Sequence, residues 1–153
     1  MTGGENVREA IEFFFDVIER EPASDDLEAK LRLALDRLAL ALNYAVYTFD
    51  AGEYPEAKTR EYAEIRDIVS ERFPDCGFYN IAADISDEIG NGEANGGDAI
   101  DDICDIAGDL EEVLWRWENN SPDDALWYFS IFYVFHWGRH LRGLQLYLYD
   151  KIT

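Results

Sequence analysis

Positive charge is scarce in this chain. Thirteen Lys and Arg stand against 33 Asp and Glu, a formal net charge of −20 over 153 residues, and lysine occurs only at Lys30, Lys58 and Lys151. Such a charge repels nucleic-acid phosphates and anionic membrane surfaces, so neither is an expected partner. A basic protein is the natural complement, although an Asp-rich, Lys-poor surface also suits life in high salt. Cysteine is nearly missing too. Cys76 and Cys104 form no CxxC motif and no Cys/His cluster, so they encode neither a dense disulfide framework nor a cysteine-based zinc site. Buried, unreactive thiols in a reducing cytoplasm are the expectation. The opening MTGGENVREA lacks a basic stretch followed by an apolar one and does not read as a secretory signal. No phosphate-cradling glycine loop, no GxSxG and no basic patch is found.

What is present is apolar: 48% of the residues, enough for the core of a single domain spanning residues 1–153. Pro22, Pro55, Pro74 and Pro122 punctuate the chain. Glu5–Glu21 reads as a first helix, with Val7, Ile11, Phe14, Phe15 and Ile18 at helical spacing. A second follows Ser24 or Asp25, with Glu28 completing a capping box, and runs to about Phe49. The third opens near Glu56, with Tyr62, Ile65, Ile68, Val69 and Phe73 on its buried side. Cys76–Ala83 reads as an ordered crossover or short helix, and Ser86–Gly97, with four glycines, as a mobile acidic loop. Asn91, Glu93, Asn95, Gly96 and Asp102 there approach EF-hand offsets, but a bidentate Glu at the last position is missing. Asp98–Asn119 is the fourth helix. Its stripe is Ile103, Ile106, Ala107, Leu110, Val113, Leu114 and Trp117; Asp98, Asp105 and Glu112 fall opposite, and Asp102 and Asp109 flank it.

The chain is organised around Pro122–Tyr149, PDDALWYFSIFYVFHWGRHLRGLQLYLY. Ser121 as N-cap, Pro122 in the first turn and Asp123 and Asp124 after it are helix-start signals. Apolar residues surround nearly the whole circumference, which marks either a membrane span or the middle of a bundle. The unbroken run is too short for a span, and His136, Arg139, His140 and Arg142 would lie at costly depth. The expectation is therefore an all-α, single-domain bundle of about five main helices, without a sheet, around this C-terminal helix. Helices four and five form an antiparallel hairpin turning at Asn119–Pro122.

Asp124-Ala-Leu-Trp127, the aromatics after it and His136-Trp137-Gly138-Arg139-His140, together with Asp101–Ile106 and Asp109-Leu110 before them, resemble a bacterial domain-of-unknown-function family, the one numbered five-zero-six-three. The last third of the chain carries the resemblance well and the rest loosely. Where the family tends to place a Trp and a Phe before the His, this chain has Phe129 and Ile131. The resemblance implies an all-helical fold and no assigned activity.

His136 and His140 are the only histidines. Four residues apart, they share a helix face. Three readings stay open for them: a metal site completed by an Asp or Glu from elsewhere, a hydrogen-bonded pair at the edge of the core, or part of a cleft without metal. HExxH is excluded because Trp137 stands between them. On an uninterrupted helical wheel Phe129, Phe132, Tyr133, His136, His140, Gly143 and Tyr147 share one side. Arg139 and Arg142 lie on another, where salt bridges to the acidic surface are expected. In the hairpin, residues whose numbers sum to about 241 lie level: Asp105 with His136, Asp102 with Arg139, Asp101 with His140. A carboxylate from Asp101, Asp102, Asp105 or Asp109 should therefore reach His136, Arg139 or His140. The candidate binding residues are His136, Trp137, Arg139, His140, Arg142, Asp102, Asp105 and Asp109, with His136 and His140 as metal ligands. The expected function is a non-catalytic cytoplasmic interaction or regulatory protein with a basic partner and no cofactor. The alternative is an enzyme using zinc or another divalent metal.

Overall fold

The computed structural model describes residues 2–152. Thr2 caps the first helix: its hydroxyl accepts the Glu5 amide while the Glu5 carboxylate accepts the Thr2 amide, a reciprocal box that opens α1, Gly3–Phe15. A π turn, Asp16–Arg20, continues it towards Pro22. α2 is Leu27–Ala41 and ends in a single 3-10 turn, Leu42–Tyr44. α3 is Tyr62–Arg72, α4 is Ala99–Asn119, α5 is Pro122–Phe132 and α6 is Gly138–Ile152. A second π turn, Tyr133–Trp137, joins α5 to α6 into one rod. Fully buried Ile11, Phe14, Leu31, Leu35, Ile103, Ile106, Phe129 and Trp137 form the centre of the core. The α4–α5 turn is built as the sequence indicates, with the Ser121 hydroxyl accepting the Asp124 amide and Pro122 in the first turn.

The fold is mostly helical but not all-α. Phe78–Ala82 and Ala94–Asp98 pair as an antiparallel hairpin, β1 and β2. The crossover and the last four residues of the glycine-rich loop are therefore strands, and residues 83–93 form the hairpin tip between them. Tyr79 stands directly opposite Gly97, and a Cβ on Gly97 would lie 2.3 Å from the Tyr79 ring. The glycine is thus required by an aromatic ring lying across the neighbouring strand, not by mobility. β2 runs straight into α4, whose N-cap Asp98 accepts the Ile100 amide at 3.0 Å and binds Arg66 at 2.9 Å. The hairpin so fixes where α4 begins.

Two helix boundaries also differ from expectation. α2 stops at Ala41 rather than near Phe49, and α3 starts at Tyr62 rather than Glu56. Residues 45–60 run without regular structure, held by side chains. The Asp123 carboxylate accepts the Thr48 amide, Asp50 is bonded by Ser121, and Arg60 bridges Glu19 and Glu111, each at 2.7 Å. Among the described residues no helix is long and apolar enough to cross a membrane.

Candidate functional site: two histidines between carboxylates

The site lies where the N-terminal half of α4 faces the junction of α5 and α6. Its geometry depends on the π turn. In an uninterrupted α-helix the buried seam Leu126–Phe129 would continue through His136, His140 and Tyr147. A π turn takes up one extra residue, so the seam slips to Trp137, Leu141, Leu144 and Leu148, all fully buried. The single-phase wheel, which put the histidines in line with Phe129, is corrected by this slip. His136 and His140 move from the seam to its edge, against α4. Trp137 takes the core position, its indole N–H donating to the Phe129 carbonyl at 3.1 Å and its ring 5.1 Å from those of Phe129 and Tyr133. Gly138 closes the turn. A Cβ there would lie 2.4 Å from the Tyr133 carbonyl oxygen.

Five predicted residues come together. His140 Nδ1 lies 2.8 Å from Asp102 Oδ1, and its Nε2 lies 3.1 Å from Asp105 Oδ2. His136 Nδ1 lies 2.6 Å from Asp109 Oδ2, and its Nε2 lies 3.9 Å from the same Asp105 oxygen. The imidazoles meet edge to face with centroids 4.9 Å apart. Each ring is therefore held at Nδ1 by its own aspartate, and both Nε2 atoms turn towards one shared carboxylate. Asp105, expected on the solvated face of α4, is instead half-buried at the centre of the group. Asp102 pairs with His140 rather than Arg139.

The other three candidates lie elsewhere. Trp137 is enclosed in the core. Arg139 donates to the Ala83 carbonyl at the base of the hairpin tip. Arg142 donates to the Tyr133 hydroxyl at 3.1 Å and to Gln145 at 3.2 Å. Both guanidinium groups are thus held by neutral oxygens rather than by the acidic surface.

Two tyrosines that sequence reasoning missed complete the surroundings. Tyr79 donates its hydroxyl to Asp102 Oδ2, and Tyr62 donates to Asp101. Tyr79 could have been found from alternation: Tyr79 and Ile81 are half-buried while Phe78, Asn80 and Ala82 are exposed. The electrostatics follow from crowding. Burial pushes the Asp105 carboxyl above its ordinary range, and neighbouring Asp101 adds to this, against the opposing pull of His140. Burial also raises Asp109, opposed by its bond to His136. The bond to Asp102 raises His140 and favours its imidazolium, against the opposing effect of burial. The thiols take no part: burial pushes both Cys76 and Cys104 up to about 12, so each stays protonated.

The family model described as Domain of unknown function (DUF5063) matches residues 5–150. The chain belongs to this family. Among solved structures, it is similar to protein BF1032 from Bacteroides fragilis, with a TM-score of 0.63 at 17% identity, covering 97% of this chain and 88% of that one. That likeness is one of fold alone. No curated protein matches. The DUF5063 match carries no activity with it, so function is argued from the site.

Proposed function

We propose that His136, His140 and Asp105 form a divalent-metal site. The observation that carries this reading is the convergence of both Nε2 atoms on one carboxylate while each Nδ1 is held by a separate aspartate. An imidazole that binds a metal through one nitrogen usually gives the other N–H to a carboxylate, which fixes the tautomer and the ring. Ligand atoms of a tetrahedral zinc-type centre, with bonds of roughly 2.0–2.2 Å, stand about 3.4 Å apart. Here the atoms of the three residues lie within 4.8 Å of one another, with 3.1 and 3.9 Å between Asp105 Oδ2 and the two Nε2 atoms. Two imidazoles and a carboxylate suit zinc, iron, cobalt or nickel better than calcium or magnesium. The side chains of His136, His140 and Asp105 remain 46%, 23% and 23% exposed, so three protein ligands would leave coordination positions open to solvent.

Chelator-stripped protein titrated with zinc or cobalt should bind one equivalent, and cobalt should give the visible spectrum of a low-coordinate site. His136→Ala with His140→Ala should abolish this, and Asp102→Asn should weaken it by about 10–100-fold through loss of ring orientation. Full binding by the double variant would refute the site.

A second reading has its own observation. Residues 73–115 contain no Lys, Arg or His, and the acidic hairpin tip exposes Ile85 and Ile89 almost completely. Such a mixed acidic and apolar surface suits a basic protein partner with an apolar cleft. Salt-sensitive capture of one basic protein, lost in an Ile85→Ser, Ile89→Ser variant, is expected. Capture indifferent to both substitutions would remove this reading.

A further inference from the structure

At the opposite end of α4 from the histidines, the unstructured segment 45–60 folds over the start of α5 and leaves a cleft of about 280 Å³. Its walls are aromatic and acidic: Phe49, Tyr54 and Trp127, with Asp50 and Glu56. Phe49 and Trp127 meet edge to face, with centroids 5.5 Å apart and planes at 67°, and Trp127 meets Tyr128 at 4.8 Å and 81°. Rings set across one another turn their electron-rich faces in different directions around a common space.

The segment that makes one wall is built into place. Asp50 accepts the Ser121 hydroxyl at 2.5 Å, the Tyr54 hydroxyl at 2.5 Å and the Gly52 amide at 2.9 Å. A Cβ on Gly52 would lie 2.9 Å from the Tyr54 ring, so glycine lets Tyr54 fold back onto Asp50. These ties act on a stretch that has no ladder or helix of its own to hold it.

The deep end already shows what these walls accommodate. The Arg116 guanidinium carbon lies 3.3 Å from the centroid of the Tyr128 ring and pairs with Glu112 at 3.0 Å and Asp124 at 3.1 Å. That is a cation on an aromatic face, neutralised by carboxylates. The outer part of the cleft repeats the chemistry without the cation. Trp127, Phe49 and Tyr54 supply aromatic faces, and Glu56 makes no hydrogen bond or ion pair among the described residues. The lining carries three carboxylates, Asp50, Glu56 and Asp124, against the one guanidinium.

We propose that this cleft binds the head of an organic cation, a guanidinium or alkylammonium group, between Trp127, Phe49 and Tyr54 with Glu56 as its counter-ion. Aromatic faces attract such cations most when Trp is among them, and the bound group here loses only part of its water. The head could arrive on an arginine or lysine side chain or as a free small molecule. The site does not depend on the metal reading, and its test is run with excess chelator so that the two stand or fall separately.

The experiment is a titration followed by NMR of protein labelled with 5-fluorotryptophan, using N-acetylarginine methylamide, its neutral isostere N-acetylcitrulline methylamide, and choline. The arginine probe or choline should shift the Trp127 resonance at millimolar concentration while the citrulline probe does not. Response to arginine alone points to a peptide source, and response to choline alone to a free ligand. Followed by calorimetry, Trp127→Leu should weaken binding about tenfold. Glu56→Gln should weaken it about threefold without moving the thermal midpoint. Should Trp127→Leu not fold, Glu56→Arg provides the second variant, since it places a cation in the cleft and should abolish binding. Equal response to arginine and citrulline, no response to any probe, or undiminished binding in the variants overturns the proposal. Undiminished binding would mean diffuse attraction to an acidic protein.

Discussion

The two halves of α4 carry similar acidic loads and neutralise them differently. In the C-terminal half the carboxylates meet arginines: Glu111 pairs with Arg60 at 2.7 Å, Glu112 with Arg116 at 3.0 Å, and Glu118 with Arg8. In the N-terminal half Asp101, Asp102, Asp105 and Asp109 meet two imidazoles and two phenols. Guanidinium is a cation at any pH the protein survives, imidazole is one only while protonated, and phenol never is. One end of the helix therefore has fixed counter-charge, and the other has counter-charge that can be exchanged. A fixed pair holds structure. An exchangeable one is where a bound cation can replace protons, and that contrast is what directs the functional reading to the histidines.

The largest test of the contrast is at the fixed end. The Arg116 and Asp124 side chains are 13% and 9% exposed. Arg116→Leu removes the counter-ion of buried Asp124, leaving it the Asn120 side-chain amide at 2.8 Å, and should cost about 3 kcal/mol in urea unfolding. A loss below about 1 kcal/mol would mean that this end is no more firmly held than the other. A smaller effect is expected at the exchangeable end. Asp102→Asn and His140→Gln should each cost about 1 kcal/mol in metal-free protein, with a coupling of about 0.5–1.5 kcal/mol between them. Strict additivity would dissolve the His140–Asp102 unit.

The smallest effect is in pH. His140 is raised by its bond to Asp102, and Asp105 and Asp109 are raised by burial. A raised value means that the folded state holds the proton more tightly than the unfolded chain. The His140 contribution is therefore fully present below the ordinary imidazole value and is lost as pH rises through the raised folded one. The thermal midpoint of metal-free wild type minus that of His140→Gln should shrink over that interval. The Arg116→Leu difference should stay nearly flat there, because guanidinium does not titrate. A wild-type advantage that grows with pH would reverse the assignment of His140.

Much of the helical frame could be read from sequence because its signals are local. Ser121, Pro122, Asp123 and Asp124 mark a start, and the α4 stripe marks a face. The level rule for an antiparallel hairpin puts Asp105 at the height of His136 and Asp101 at that of His140, with Asp102 one residue along at Arg139. What could not be read depends on long-range contacts. Gly97 is small because Tyr79 crosses it, yet in sequence it looks like part of a flexible loop. Residues 45–49 and 56–60 read as the end of one helix and the start of the next around a break at Asp50–Gly52, but Asp50 and Arg60 hold the whole segment out of helix through partners tens of residues away. Asp105 falls on the solvated face of a wheel drawn for α4 alone for a related reason: such a wheel carries no information about which helix will lie against it.

The π turn at Tyr133–Trp137 has a consequence for how the gene can change. Ordinary point substitutions leave the reading of the two helix faces intact. A codon lost within this turn would remove the extra residue and leave one continuous α-helix in which Trp137, Leu141, Leu144 and Leu148 keep the seam. At its present length the turn has no such freedom: relaxing it to α-helix would rotate everything after it by about 100° relative to α5. Those four residues would then leave the seam together, and His136 and His140 would turn into it. The core and the histidine site therefore share one frame, and the π turn is the one place in the rod where a residue can be lost without breaking it.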